Sequence, residues 1–459
     1  MKNEKKIIRD LTVGSVPRTL LSFSLPLFLS GLLQMVYNMV DMIVVGRFVG
    51  TEGLSAVAIG GEVLQLITFV AMGFSNAGQI LISRYVGEGR EDRVGEMVGT
   101  LFTLLEGLAL VITVVFLFTY QDIIRWLNTP DEIWDYTRQY SLTCVAGIVF
   151  IYGYNLVSAI LRGMGDSRHP FQFITIASLI NVILDILLVG PMGMGPLGAA
   201  LATVVGQAVS FLFALRLLYK NRAQIHFDFH PSHFRIYGSV ARPLLSLGIP
   251  MVIQSAAITF SMLFVNSYVN TYGTVAVAVT GVARKLESMI GVISQAISSA
   301  GGAMVSQALG ARKLERVPKV VFHALWIVAI PAAIFSLITG LRPEWLFGLF
   351  SDDPAVLGMA VSYIPVAMVQ YIGCTLRPAS FALINGSGNS RLNLMVALLD
   401  GIACRIGLSL LLGVTFGYGI FGFWYGNAFS GLVPFLIGSV YLISGRWKNS
   451  SKAAGERRA

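Results

Sequence analysis

AGQILISRYVGEGREDRV (residues 77–94) and AGGAMVSQALGARKLERV (300–317) decide how this chain is built. Ala, Gly, Ser, Gly, Arg and Val recur in register, 223 positions apart. The same offset relates LRGMGDSR (161–168) to LINGSGNSR (383–391), through Gly163/Gly386, Gly165/Gly388, Ser167/Ser390 and Arg168/Arg391. Pro26 in LSFSLPLF and Pro250 in LSLGIPMV match it to within one residue. Three anchors at one spacing make the chain a duplication of one unit.

The repeated unit is apolar. The 459 residues are 55% hydrophobic and 12% charged, with a mean hydropathy of +0.72. A soluble domain carries about 25% charged residues. The apolar residues also come in runs of the roughly 20 residues that a membrane-crossing helix needs. Gly, Pro and charge breaks divide the runs into spans near 19–45, 55–83, 95–119, 138–161, 170–190 and 196–218, then 243–269, 275–306, 320–340, 356–384, 392–414 and 418–444. The first run is too long for a signal-peptide core and no small-residue cleavage site follows it, so it reads as a retained helix. The expected fold is an all-α polytopic membrane protein of twelve transmembrane helices in two pseudo-symmetric six-helix lobes. Six is even, so the halves are parallel repeats, an architecture shared with transporters that hold substrate between their halves.

Basic residues orient the spans. With both termini in the cytoplasm, Arg84, Arg90, Arg93, Arg216, Lys220, Arg312, Lys313, Arg316 and the terminal Lys2, Lys5, Lys6, Arg457 and Arg458 lie inside. Only Arg47, Arg125 and Arg342 fall in outer loops. The organisation expected is a cytoplasmic segment 1–18, an N-lobe 19–220, a cytoplasmic linker 221–242, a C-lobe 243–445 and a basic tail 446–459. The net charge of +9 is then topological and does not point to nucleic acid.

Ionisable residues inside spans are functional candidates by default, because a carboxylate in hydrocarbon costs about 2.5–3.5 kcal/mol even on the gentler scales. Asp41 lies about five residues before the outer end of span 1. Asn181 and Asp185 share one face of span 5, and Asp185 also lies about five residues from the outer end. Thr203 lies about seven residues into span 6. Helical rise puts all three spans' oxygens at one depth. Two carboxylates with an amide and a hydroxyl suit a proton or Na⁺ site, so Asp41, Asn181, Asp185 and Thr203 are the cation-coupling candidates. The plainer alternative is that Asp41 and Asp185 cap or hydrogen-bond at the outer interface.

Other residues carry weaker signals. Gln34, Tyr37 and Asn38 share the Asp41 face and are candidates for lining a substrate cavity. Arg284 and Glu287, with Lys285, form either a structural charge cluster or part of that cavity. Arg377 and Arg405 are expected as interior ion-pair members or backbone-carbonyl ligands, with no clear partner in the sequence. Pro26 is expected to kink helix 1, and Gly46/Gly50 form a GxxxG of the kind that brings helices close. Cys144, Cys374 and Cys404 lie in apolar segments at unrelated spacings, and the five histidines form no metal pattern. No Walker motif implies nucleotide use and no nucleophile–base set implies an enzyme.

At this point the chain resembles the multidrug and toxic compound extrusion (MATE) family over about its whole length. The resemblance rests on LPLFLSGLLQMVYNMVDMIVVGRFVG, the Gly-Arg-Glu-Asp loop after span 2, LRGMGDSRHP and GPLGAALAT, in that order. It implies two lobes forming a V in a cytoplasmic membrane, exporting drug-like organic cations by H⁺ or Na⁺ antiport, with no cofactor. Similarity to the DinF-like and MepA-like branches implies a cation site at Asp41, Asn181, Asp185 and Thr203. The NorM-like branch has carboxylates in spans 7 and 10, which are absent here, and leaves Glu287 in span 8 as the second-half alternative. A lipid-linked-oligosaccharide flippase of the same superfamily is the other reading, kept open by Arg284, Lys285, Arg377 and Arg405.

Overall fold

The structure, a computed structural model, describes residues 7–452, with side chains to residue 450. The terminal lysines Lys2, Lys5 and Lys6 and the arginines Arg457 and Arg458 lie outside the described residues. Helices account for nearly all of the rest: α1 (Val16–Phe48), α2 (Thr51–Glu88), α3 (Glu91–Trp126), α4 (Trp134–Ala146), α5 (Ile148–Gly163), α6 (Arg168–Val189) and α7 (Gly195–Lys220). The second half holds α8 (Gly238–Asn270), α9 (Thr274–Gly310), α10 (Arg316–Leu341), a short α11 (Pro343–Gly348), α12 (Pro354–Gly386), α13 (Ser390–Thr415) and α14 (Gly419–Ile443). Eleven are long and apolar enough to cross a bilayer, and α4 with α5, bent by 48° at Gly147, makes a twelfth. The fourth span is thus a broken helix rather than the straight run its sequence suggests. Pro26 lies inside an α1 that stays helical from Val16 to Phe48. The GxxxG expectation fails: nothing lies within 4 Å of a Cβ built on Gly50, which forms the corner into α2 at φ 83°.

The duplication is visible in the backbone. Left-handed corners recur in pairs: Gly50/Gly273, Gly89/Arg312 and Gly165/Gly388 at an offset of 223, then Gly193/Gly417 and Gly195/Gly419 at 224. Such corners favour glycine because a Cβ is strained at positive φ. The quoted motifs recur because they pack on each other. In the first half a Cβ on Gly163 would lie 2.8 Å from Ile82 Cβ, and Ser83 Oγ donates to Gly163 O at 2.9 Å. In the second, a Cβ on Gly386 would lie 2.7 Å from Gly302 O and Val305 Cβ. Arg162, at the end of α5, donates through Nε to Gln79 Oε1 at 2.8 Å.

The step from 223 to 224 has a structural cause. Residues Leu399–Cys404 of α13 form a π turn, which takes more residues per turn than an α turn. It lies between Arg391, still at offset 223, and Leu412, already at 224. A Cβ on Gly422 would lie 2.4 Å from Leu412 C, as one on Gly198 would lie 3.0 Å from Leu188 C. From Arg391 to Leu412 the second half therefore carries one more residue than the first, absorbed as a bulge, which restores the offset of 224 seen at Pro26/Pro250.

Contacts divide the chain into two compact units that interleave in sequence: unit 1 is Met1–Asp10 with Leu25–Gly248, and unit 2 is Leu11–Ser24 with Ile249–Ala459. Both α1 and α8 are shared, and each division falls two residues before a proline, Pro26 or Pro250. Within unit 1, the segment between α7 and α8 lies on α3. A Cβ on Gly95 would lie 2.1 Å from His226 O, and one on Gly99 2.3 Å from His233 O. The contact is closed by Tyr237 N donating to Thr100 Oγ1 at 3.1 Å, by His226 Nε2 pairing with Glu91 Oε2 at 2.6 Å, and by Phe227 stacked on Phe102. Within unit 2, Lys313 Nζ donates to Thr12 Oγ1 at 2.8 Å and Arg316 to Gly14 O at 3.0 Å.

Candidate functional site

Three helices of unit 1 bring the acidic candidates together. Asp41 on α1 is 8% exposed, and Asn181 and Asp185 on α6 are 3% and 0% exposed. With its amide nitrogen turned toward Asp185, Asn181 satisfies both ends of its side chain. Nδ2 donates to Asp185 Oδ2 at 3.2 Å, and Oδ1 accepts from Thr203 N at 3.2 Å and Thr203 Oγ1 at 3.3 Å. The approach of α6 and α7 that allows this depends on Gly206, where a Cβ would lie 2.9 Å from Ala177 O. Asp41 and Asp185 are close enough to act on each other electrostatically, and Tyr37 interacts with both.

The common level of these residues shows in their neighbours. Val45 and Val189 stand one turn beyond Asp41 and Asp185, and Ala199 one turn before Thr203. All three belong to one buried cluster with Tyr140 and Cys144. That apolar cluster closes the polar group on one side. Asp41 Oδ1 and Asp185 Oδ1 are enclosed and meet no hydrogen-bond donor of the protein. Burying such an oxygen unpaired is costly, so the arrangement favours a positive partner: a proton, or a cation taking oxygen ligands.

The remaining candidates are less gathered. Gln34 donates to Tyr37 Oη at 3.4 Å on an exposed part of α1, and Asn38 is exposed. Arg284 and Lys285 are exposed on α9, with Lys285 over the Phe350 ring at 5.8 Å. Glu287 is half-buried in unit 2, where Oε2 accepts from Gln370 Nε2 at 2.5 Å.

Sequence reasoning missed Asp400, the residue that explains Arg377 and Arg405. Asp400 is 0% exposed in the π turn of α13. It accepts from Arg377 at 3.1 Å and from Arg405 at 3.0 Å. Both arginines are thus interior ion-pair members, one of the two roles expected of them, with a partner that the sequence did not identify. Glu106 on α3 was also passed over; both of its carboxylate oxygens are enclosed without a protein partner. The signal for each was an acid inside an apolar run, LLDGIACRIG and LFTLLEGLAL. Among the described residues no group of His, Cys, Asp and Glu suits a transition-metal site, and the three cysteines are free.

The MatE family model matches the chain twice, over residues 26–187 and 250–411. The two matches begin at the paired prolines and repeat the offset of 224. The chain is 26% identical to the probable multidrug resistance protein YpnP of Bacillus subtilis, over 96% of this chain and 97% of that one. It is 22% identical to the multidrug export protein MepA of Staphylococcus saprophyticus, over 85% and 86%. In fold it is similar to an outward-facing multidrug resistance MATE family transporter (TM-score 0.87, 22% identity, 97% and 99% covered). It is equally similar to a MATE in the bent conformation (TM-score 0.87, 21% identity, 98% and 99% covered). The chain belongs to the MatE family and is a multi-pass membrane transporter, not an enzyme.

Proposed function

We propose that the protein exports amphipathic organic cations across the cytoplasmic membrane in exchange for H⁺ or Na⁺ bound in unit 1, with alternating access and with both termini in the cytosol. The observation that carries this reading is the pair of enclosed, unpartnered oxygens, Asp41 Oδ1 and Asp185 Oδ1. Asn181 and Thr203 complete a polar set on three helices, the amide donating to Asp185 and held by Thr203. A cation entering down 100 mV releases about 2.3 kcal/mol, between one and two decades of substrate gradient per charge. Relatives named for multidrug resistance and export support the substrate class. The lipid-linked-oligosaccharide flippase is the second reading: Arg377 and Arg405, both engaged by Asp400, speak against it, and Arg284 and Lys285 on α9 are what it would rest on.

The test is transport in proteoliposomes with pH and Na⁺ gradients imposed separately. Uptake of ethidium against its gradient, driven by one of the two, is the expected result. Transport indifferent to both gradients would remove the antiport mechanism.

A further inference from the structure

The same place in the two halves holds opposite charge. Asn181 bonds Thr203 in unit 1, and Arg405 bonds Asn427 in unit 2; each pair spans 22 residues. The two pairs are related by the offset of 224 that holds at Gly195/Gly419 and in the second family match. Arg405 therefore stands where Asn181 stands. In unit 1 that place adjoins Asp185, whose Oδ1, like Asp41 Oδ1, meets no donor of the protein. In unit 2 it is filled by a guanidinium that is 2% exposed.

Around Arg405 the charges close on themselves. Asp400 takes Arg405 on Oδ1 and Arg377 on Oδ2, which leaves one positive charge over. Glu287 brings the second negative charge: its Oε1 lies 3.7 Å from Cys374 Sγ, one turn before Arg377 on α12, and Arg377, Arg405 and Arg284 all act on it. It is oriented by a relay in which Tyr363 Oη donates to Gln370 Oε1 at 2.7 Å and Gln370 Nε2 donates to Glu287. Two arginines and two acids sum to zero, with Arg284 exposed at their edge. At offset 223 the counterpart of Glu287 is Leu64 and that of Arg377 is Tyr154. Asp400, in the bulged turn, stands opposite Ile176 or Ala177. The charged set belongs to unit 2 alone.

We propose that Arg405 is a resident cation, occupying in unit 2 the place that unit 1 leaves to an exchangeable one, with Asp400, Arg377 and Glu287 completing a set that is neutral without any ion from solution. The inference rests on the cation site proposed at Asp41 and Asp185. It adds that the second copy of that site has been closed by a tethered charge. Arg405 then acts as a positioning residue: it holds Asp400 in α13 and Asn427 in α14, and it makes unit 2 indifferent to the coupling ion.

Charge compensation tests this. Arg405→Gln leaves the set at minus one and Glu287→Gln leaves it at plus one, while the double variant is neutral again. Thermal unfolding in detergent is expected to show a lower midpoint for each single variant and recovery of more than half of that loss in the double. Transport by Arg405→Gln is expected to fall away as pH rises, because a proton must replace the lost charge, and adding Glu287→Gln should flatten that profile. The groups facing this set are Arg284 on α9, Tyr363, Tyr371, Cys374 and Arg377 on α12, and Asp400 and Cys404 on α13. If Arg405→Gln does not accumulate, the membrane level of the double variant is read instead, and its recovery supports the proposal. Additive losses, or a pH profile for Arg405→Gln parallel to that of the unmodified protein, overturn it. Wild-type export by Asp41→Asn would sink the unit 1 reading while leaving the compensation in unit 2 untouched, so the two failures are distinguishable.

Discussion

Asn181 and Thr203 meet side chain to side chain at 3.3 Å across α6 and α7, and that contact aims the Asn181 amide at Asp185. The amide thereby uses one oxygen of Asp185 and leaves the other enclosed beside Asp41. The polar group is positioned from both sides, by Thr203 and by the close approach at Gly206.

The first expectation concerns the acids themselves. Asp41→Asn or Asp185→Asn should abolish gradient-driven export while the protein still accumulates in the membrane. An amide is near-isosteric with a carboxyl but neither takes up a proton nor carries the charge that holds a cation. Ethidium efflux from loaded cells, with membrane levels measured in parallel, reads this directly. Wild-type efflux from both variants would discard the site.

Thr203 should matter through its hydroxyl. Thr203→Val keeps the shape but removes a hydrogen bond to a buried amide, a loss of about 1 kcal/mol. Thr203→Ser keeps the bond. The coupling-ion concentration giving half-maximal transport should rise several-fold in the valine variant and stay near wild type in the serine variant. Equal behaviour of the two would mean that the methyl, not the oxygen, is what counts.

The segment between α7 and α8 should depend on two glycines. A valine at Gly95 or Gly99 drives its side chain into a backbone carbonyl, His226 O or His233 O, which cannot yield as a side chain would. Overpacking of this kind costs about 1–3 kcal/mol. Trypsin cleavage at Arg235 in either variant should be several-fold faster than in the unmodified protein, and an unchanged rate would show that the segment is held elsewhere.

Acid should loosen the same segment. The backbone N–H of His230 and the His233 ring, both bonded to Asp228, hold its carboxyl below the usual carboxylate range. A depressed acid stabilises fully above its ordinary value and loses that contribution as pH falls through the lowered one. The protection of the amides at residues 228–234, taken relative to the intrinsic exchange rate at each pH, should therefore be high at neutral pH and fall in strong acid. Asp228→Ala should be weakly protected throughout, and a profile identical to wild type would contradict the assignment.

How much of this could be read from the chain follows from what each signal depends on. The duplication was legible because its anchors are glycines at left-handed corners and at helix contacts, where few other residues fit. Asp41, Asn181, Asp185 and Thr203 could be grouped because helical rise converts position in a span into depth. The bend at Gly147 was not legible, since an apolar run through a glycine looks the same straight or broken. Asp400 escaped notice because it follows a long apolar run and sits beside a glycine, where it reads as a boundary. Its role depends on a bulge that only the three-dimensional trace reveals. The ion-pair partner of Arg377 and Arg405 stayed unnamed for the same reason, because it lay in a turn of unexpected pitch.

That bulge decides what the second copy became. An added residue in a regular helix turns everything after it by about 100°, which would have swung Arg405 away from Asn427 and spoiled the seam between the last two spans. Absorbed within the widened turn at Leu399–Cys404, the insertion leaves the register from there to Asn427 intact and delivers an acid to the interior. A length change is thereby accommodated without displacing the contacts that follow it, and the widened turn becomes the place where one carboxylate meets two guanidinium groups.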